Sequence, residues 1–329
     1  MNHRERLEAC LEGIAPDRVP ISLWRHFPGD DQDPYQLAKS TIEFQRNYDF
    51  DFVKVTPASS FCVKDWGAKD EWKGATEGTR EYIYFPIQRA DDWLTLHPLD
   101  PRKGWLGKQL ECLKTIKDEI PTDTPIIQTI FSPLSQAKNL ASRSKLLIWI
   151  RTNPQEVLSG LKVITETTLR FIEEVKKLGI DGIFYAVQHA QYGLLSENEY
   201  LQFGKAFDLE ILEQTQPFWF NMLHVHGEDI MFQLIKDYPV QIINWHDRET
   251  YPNLAEAQKI FKGVVCGGLS REKKMVFGKP EDIFAEAREA ITATGGKRFI
   301  LGTGCVVPVI APFGNIRAAR ESIEKITVK

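Results

Sequence analysis

The chain has 329 residues, 43% hydrophobic and 26% charged, with a net charge of -4 and a pI near 6.0. This is the composition of a globular protein with a sizeable core, and its mild acidity leaves no electrostatic footprint for nucleic acid or an anionic membrane. No apolar run approaches the roughly 20 residues of a membrane helix, and the five scattered cysteines lack a CxxC pair, which predicts reduced thiols in a cytoplasmic protein.

In chain order, MNHRERLEACLEG reads as a charged amphipathic helix without the apolar segment of a signal peptide. Short β-type runs then recur, each followed by a helical pattern. They are VPISLW (19–24), DFVKV (51–55), PIIQTIF (125–131), DGIFYAV (181–187), FWFNMLHV (218–225), VQIINW (240–245), GVVCGG (263–268) and RFILGTG (298–304). Several are apolar almost throughout, as in parallel strands covered on both faces. Between the runs, Val157, Leu161, Ile164, Phe171, Val175 and Leu178 make one helical stripe that Gly179 stops. Ser196 and Glu199 have the spacing of a capping box, and Pro280 opens a helix that two glycines follow.

Eight runs alternating with helices predict an α/β fold, a single-domain (β/α)8 TIM barrel over residues 1–329. No Gly-rich phosphate loop follows the first run, which argues against a dinucleotide-binding doubly wound sheet. The segment 60–122 breaks the pattern and predicts an irregular insertion over the C-terminal mouth, a lid or a strand-rich excursion. Its aromatic residues Trp66, Trp72, Tyr82, Tyr84 and Trp93 read as the insertion's own small core, with a pocket lining as the alternative.

In a barrel the C-terminal ends of the strands carry the active site. The stretch NMLHVHGED puts His224 and His226 at the end of the fifth run. Residues i and i+2 of a strand share a face, so both imidazoles can converge on one point while Gly227 turns the chain away. A third ligand fits at Cys305, after the eighth run, where Gly302 and Gly304 allow a close backbone approach. Two imidazoles and a thiolate suit zinc with one open position. The alternative is a hydrogen-bonding or substrate-contacting histidine pair with Cys305 as a small core residue. His246, ending IINW, is a candidate general acid/base or extra ligand. Lys54, between two valines, needs a partner or a substrate if it points inward. Tyr185 is a candidate pocket hydroxyl, and Cys266 a packed thiol.

The combined pattern resembles the uroporphyrinogen decarboxylase superfamily over nearly the whole chain, most weakly between 60 and 122. DRVPISLWR is similar to the family's opening, and LGIDGIFYAVQHAQYGLLSENEYLQF to its strand with the following "LS" helix. The ending GKPEDIFAEAREAITATGGKRFILGTGCVVPVIAPFGNIRAARESI carries the most specific part of the resemblance. It implies a (β/α)8 barrel. It also implies substrate contacts at Arg25 and His26, which end the first run, and at His189 after the fourth.

The superfamily holds at least two chemistries. Its decarboxylases carry an R-Q-A-G-R-Y stretch where this chain reads Arg25, His26, Phe27, Pro28, Gly29, keeping one arginine. Their aspartate after strand two is replaced within VKVTPASS, around Pro57. The other branch comprises zinc-dependent methyltransferases that move a methyl group between a corrinoid protein and a thiol such as coenzyme M. Their ligands are a His-x-Cys motif and a second cysteine in a G-C-x-x-P region. Here His224 matches the histidine, His226 replaces the first cysteine and Cys305 matches the second. The resemblance therefore implies a zinc-dependent methyltransferase with a small-molecule substrate and a corrinoid (cobalamin) supplied by a partner protein. A homodimer is a further expectation. The competing expectation is a metal-independent carboxy-lyase acting on a porphyrinogen or another acid, or a non-catalytic tetrapyrrole carrier.

Overall fold

The computed structural model describes residues 1–325. Its strands are β1 (Val53–Val55), β2 (Lys69–Glu71), β3 (Glu81–Tyr84), β4 (Ile126–Phe131), β5 (Gly182–Val187), β6 (Met222–Val225), β7 (Ile242–Trp245), β8 (Val264–Leu269) and β9 (Phe299–Thr303). Seven of them form one sheet in the order β1-β4-β5-β6-β7-β8-β9, every neighbouring pair parallel. All seven are buried along their length, because helices cover the outer face and packed side chains fill the inner one.

The first apolar run, 19–24, departs from a full strand. Ile21 makes an isolated parallel bridge with Leu301, and its carbonyl accepts from the Asp51 N–H at 2.9 Å. Ser22 Oγ donates to the Phe52 carbonyl at 2.9 Å. The run thus stands between β9 and β1 as a short eighth stave and completes the barrel. Pro20 explains its brevity, since it has no N–H to give to a ladder. At the N-terminal face, buried Asp51 accepts from Ile21 N–H at 2.7 Å and pairs with Arg6 and Arg18, pinning the stave from below. No described helix is long and apolar enough to cross a membrane.

The helix Pro154–Lys177 buries the predicted stripe of Val157, Leu161, Ile164, Phe171 and Val175, and Gly179 follows it at positive φ. The segment 60–122 holds more helix than expected. It contributes an antiparallel β2–β3 ribbon and a helix, Gly104–Glu119, which packs beside the helix Pro34–Tyr48. Leu106, Cys112, Leu113 and Ile116 form that helix's buried face. Its interspersed lysines, which stay toward solvent, masked the pattern in the sequence. The aromatic residues do not form one core: Trp93 is buried beside Trp149, Tyr82 lines a cavity, and Trp72 and Tyr84 are exposed.

Candidate metal centre

Strand parity and register assemble the site. In β6 and β7, His224 stands directly opposite Asn244 in the ladder, so both side chains point into the barrel at one level. Two residues further along each chain, at the mouth, come His226 and His246, whose rings lie 4.7 Å apart in an edge-on arrangement. Gly227 then leaves the strand at φ 109°, a conformation that favours glycine. The loop after β9 crosses over the end of β7 at Gly304. A Cβ there would lie 2.7 Å from the Trp245 carbonyl and 2.8 Å from His246 Cα, so only glycine permits the approach that delivers Cys305.

His224, His226, His246 and Cys305 each turn one ligand atom to a common point, all four atoms within 4.8 Å of one another. Cys305 Sγ is 3.7 Å from His224 Nε2 and 3.8 Å from His226 Nδ1. A tetrahedral zinc with Zn–S of about 2.3 Å and Zn–N of about 2.0 Å separates such donors by about 3.5 Å. The Cys305 pairs with His224 and His226 are close to that separation, and the four donors, all within 4.8 Å, would draw in around such an ion.

The surrounding groups fix which nitrogens face inward. Asn244 Nδ2 donates to the Cys266 and Thr303 carbonyls at 2.9 and 3.0 Å, which leaves its Oδ1 to accept from His224 Nδ1–H at 2.7 Å. The Nε2 lone pair of His224 is thereby turned to the cluster. His246 Nδ1–H donates to Glu249 Oε2 at 3.1 Å, and its Nε2, buried, has no hydrogen-bond partner. Burial also keeps the imidazoles neutral. It pulls His224 well below the ordinary histidine value, His226 to about 3 and His246 to about 4. Burial pushes the Cys305 thiol up to about 11, and the Arg271 guanidinium opposes that shift. A divalent cation would supply the positive charge that stabilises the ionised thiolate.

His224, His226 and Cys305 form one wall of a cavity of about 220 Å³, open at the barrel mouth. Trp24, Phe131, Phe184 and Tyr82 give it apolar surface, and His26, Lys54, Lys138 and Arg80 line it as well. Lys54 is buried, its ammonium 3.2 Å from Thr56 Oγ1 and 4.4 Å from the centre of the Phe184 ring. Desolvation lowers it to about 7. Lys138 donates to Gln188 Oε1 at 2.9 Å and is lowered to about 8, again chiefly by burial. Among the described residues neither lysine has a carboxylate partner, whereas Arg80 is paired with Asp70 and Asp31.

Of the residues singled out in the sequence, His224, His226, His246 and Cys305 come together, and His26 and Lys54 line the adjoining cavity. Three others lie outside its lining. Tyr185 points outward, because Phe184 and Ala186 on either side of it face the cavity, and its hydroxyl donates to Asp208 at 2.7 Å. Arg25 is held by the Val309 carbonyl at 3.2 Å, and His189 is buried with neither ring nitrogen bonded. Sequence reasoning missed Asn244, Lys138 and Glu249. Glu249 had a signal, three residues after His246 in a tight turn; Asn244 and Lys138 become visible only through the fold.

The profile of the uroporphyrinogen decarboxylase (URO-D) family matches residues 2–326. The methylcobamide:CoM methyltransferase MtaA of Methanosarcina barkeri is 23% identical over 96% of this chain and 95% of its own. A methylated-thiol–coenzyme M methyltransferase of Methanosarcina mazei is 23% identical over 59% of this chain and 51% of its own. A solved methyltransferase from Methanosarcina mazei superposes with a TM-score of 0.87 at 18% identity, covering 99% of both chains. A B12-independent methionine synthase from a Shewanella species superposes with a TM-score of 0.60 at 12% identity, over 93% of this chain and 96% of that one. At these identities the superpositions establish the barrel fold. Profile and sequence relatives together place the chain in the uroporphyrinogen decarboxylase superfamily of enzymes, on the side of the methylcobamide:CoM methyltransferases rather than of the decarboxylases themselves.

Proposed function

We propose that the chain is a zinc-dependent methyltransferase acting between a methylated corrinoid and a small anionic thiol. The observation that carries this reading is the convergence of three neutral imidazoles and one thiol on a single point beside a cavity. His224, His226 and Cys305 would hold the ion, with His246 as the fourth donor. Bound zinc supplies a Lewis acid that makes an incoming thiol ionise near neutral pH.

The chain's own groups do the rest. Lys54 and Lys138 line the cavity without carboxylate partners, so either could take an anionic group of the acceptor while its sulfur reaches the cluster. Glu249 on Nδ1 aims the His246 Nε2 lone pair at the ion, as Asn244 does for His224. Trp24, Phe131 and Phe184 keep water from the reacting sulfur. A corrinoid with its side chains is too large to share this cavity with an acceptor. The methyl group is therefore presented from the open mouth, by a corrinoid-carrying partner protein.

The test uses zinc-loaded protein, free methylcobalamin and a series of short thiols, with loss of the methylcobalamin absorbance as readout. Thiol-dependent demethylation that is faster with carboxylate- or sulfonate-bearing thiols than with a neutral one supports the reading. Protein shown to hold zinc that demethylates nothing with any thiol contradicts it.

A further inference from the structure

We propose that Glu249, Arg271 and Glu77 are positioning residues, a relay through which the seated insertion fixes His246 at the metal centre. The inference rests on the metal reading of the cluster. Its geometry is a continuous chain of charges. Glu249 uses Oε2 to accept from His246 Nδ1–H at 3.1 Å, and turns Oε1 toward Arg271 Nε at 3.5 Å. Arg271, which follows β8 and is 9% exposed, binds Glu77 through Nη1 and Glu272 through Nη2 at 3.1 Å. Glu77 belongs to the loop between β2 and β3, lies 194 residues from Arg271, and lines the cavity. That loop is seated by the Val309 N–H, which donates to the Thr76 carbonyl at 2.8 Å.

Competition among carboxylates for one nearly buried guanidinium makes the chain more than a set of surface pairs. At 3.5 Å from Arg271 Nε, Glu249 is beyond a good hydrogen bond and remains available to His246. It can do so because Glu77 occupies Nη1. With Glu77 withdrawn, the cation is left with an unpaired, desolvated face; Glu272 already occupies Nη2, and Glu249, the less exposed of the two remaining carboxylates, lies 3.5 Å from Nε and can close on it. Moving there takes Glu249 off His246 Nδ1, freeing the ring to turn its Nε2 away from the cluster. Outer partners of ligating histidines are worth 10–100-fold in metal affinity. By linkage, a metal that needs His246 in place must in turn favour the seated loop.

The experiment titrates Co(II) alone into the full-length chain and follows its visible absorption. The relay predicts that Glu249→Ala and Glu77→Ala each weaken Co(II) about tenfold or more and alter the spectrum, while Glu249→Gln recovers most of the loss. Adding Arg271→Met to Glu77→Ala should restore affinity, because no cation then competes for Glu249. Glu272→Gln should change neither affinity nor spectrum. In the wild type, Co(II) should slow amide exchange at residues 75–80. Wild-type affinity and spectrum in Glu77→Ala, or exchange at 75–80 unchanged by Co(II), overturns the relay while leaving the metal site standing. A wild-type chain that binds no Co(II) overturns the metal reading on which the relay depends.

Discussion

Asn244 determines which nitrogen of His224 faces the cluster, because its own amide is oriented by two backbone carbonyls. Replacing it with alanine should lower metal affinity by about 10–100-fold, as measured by competition with a chelating dye. The histidine pair and Cys305 were legible in the sequence because few residue types ligate metals and their spacing suits a strand. Asn244 was not, since a buried amide has many uses and only the β6–β7 register reveals this one. An inward Lys54 between two valines needs a partner, and among the described residues no carboxylate reaches it. Lys54→Met should raise KM for an anionic acceptor by about 10–100-fold with little change for a neutral one, the size of a lost charged hydrogen bond. The ammonium of the free protein is charged below about 7, so affinity for an anion should fall as pH rises through that value. A KM profile that is flat from pH 6 to 8 would assign the anion to another group.

At the level of elements, the period of two decides what each strand offers the cavity. Phe184 and Ala186 of β5 face inward, which sends Tyr185 to the helical layer. There Asp208 accepts from the hydroxyls of Tyr185, Tyr200 and Tyr238 at 2.7, 2.7 and 2.9 Å. Tyr185→Phe should therefore cost about 1–3 kcal/mol in urea unfolding and leave metal content unchanged. Burial pushes Asp208 up to about 6, with the three tyrosines opposing it. A carboxyl raised in the folded state binds its proton more tightly there than in the unfolded chain. Its contribution to stability is thus fully present below about pH 4 and is lost as pH rises through about 6. Paired carboxylates such as Glu199, lowered to about 2 beside Arg151, act in the opposite sense, so the comparison must be made within one background. Subtracting the pH–stability curve of Asp208→Asn from that of the wild type should leave a fall between pH 4 and 6; a flat difference would contradict this. The parity that excludes Tyr185 was available in the sequence, but fixing it required knowing that His224 and Asn244 face inward.

For the molecule as a whole, alternating runs and helices identified the barrel because each strand buried on both faces must be apolar almost throughout. The first stave was predicted as a strand and survives as a bridge, since Pro20 interrupts its donors. The insertion was the least legible part. Besides its apolar helix face, it is tied to the barrel by ion pairs such as Glu77 with Arg271, whose partners are distant in sequence and carry no local pattern. The chemistry of the site depends above all on the four donors being a metal centre. The most direct measurement is the metal content of protein purified without a histidine tag, beside a Cys305→Ser variant. About one zinc per chain in the wild type, lost in the variant while the fold is retained, is the predicted result. A wild type that stays metal-free after zinc is supplied would contradict the account and return the histidines to substrate binding or proton transfer.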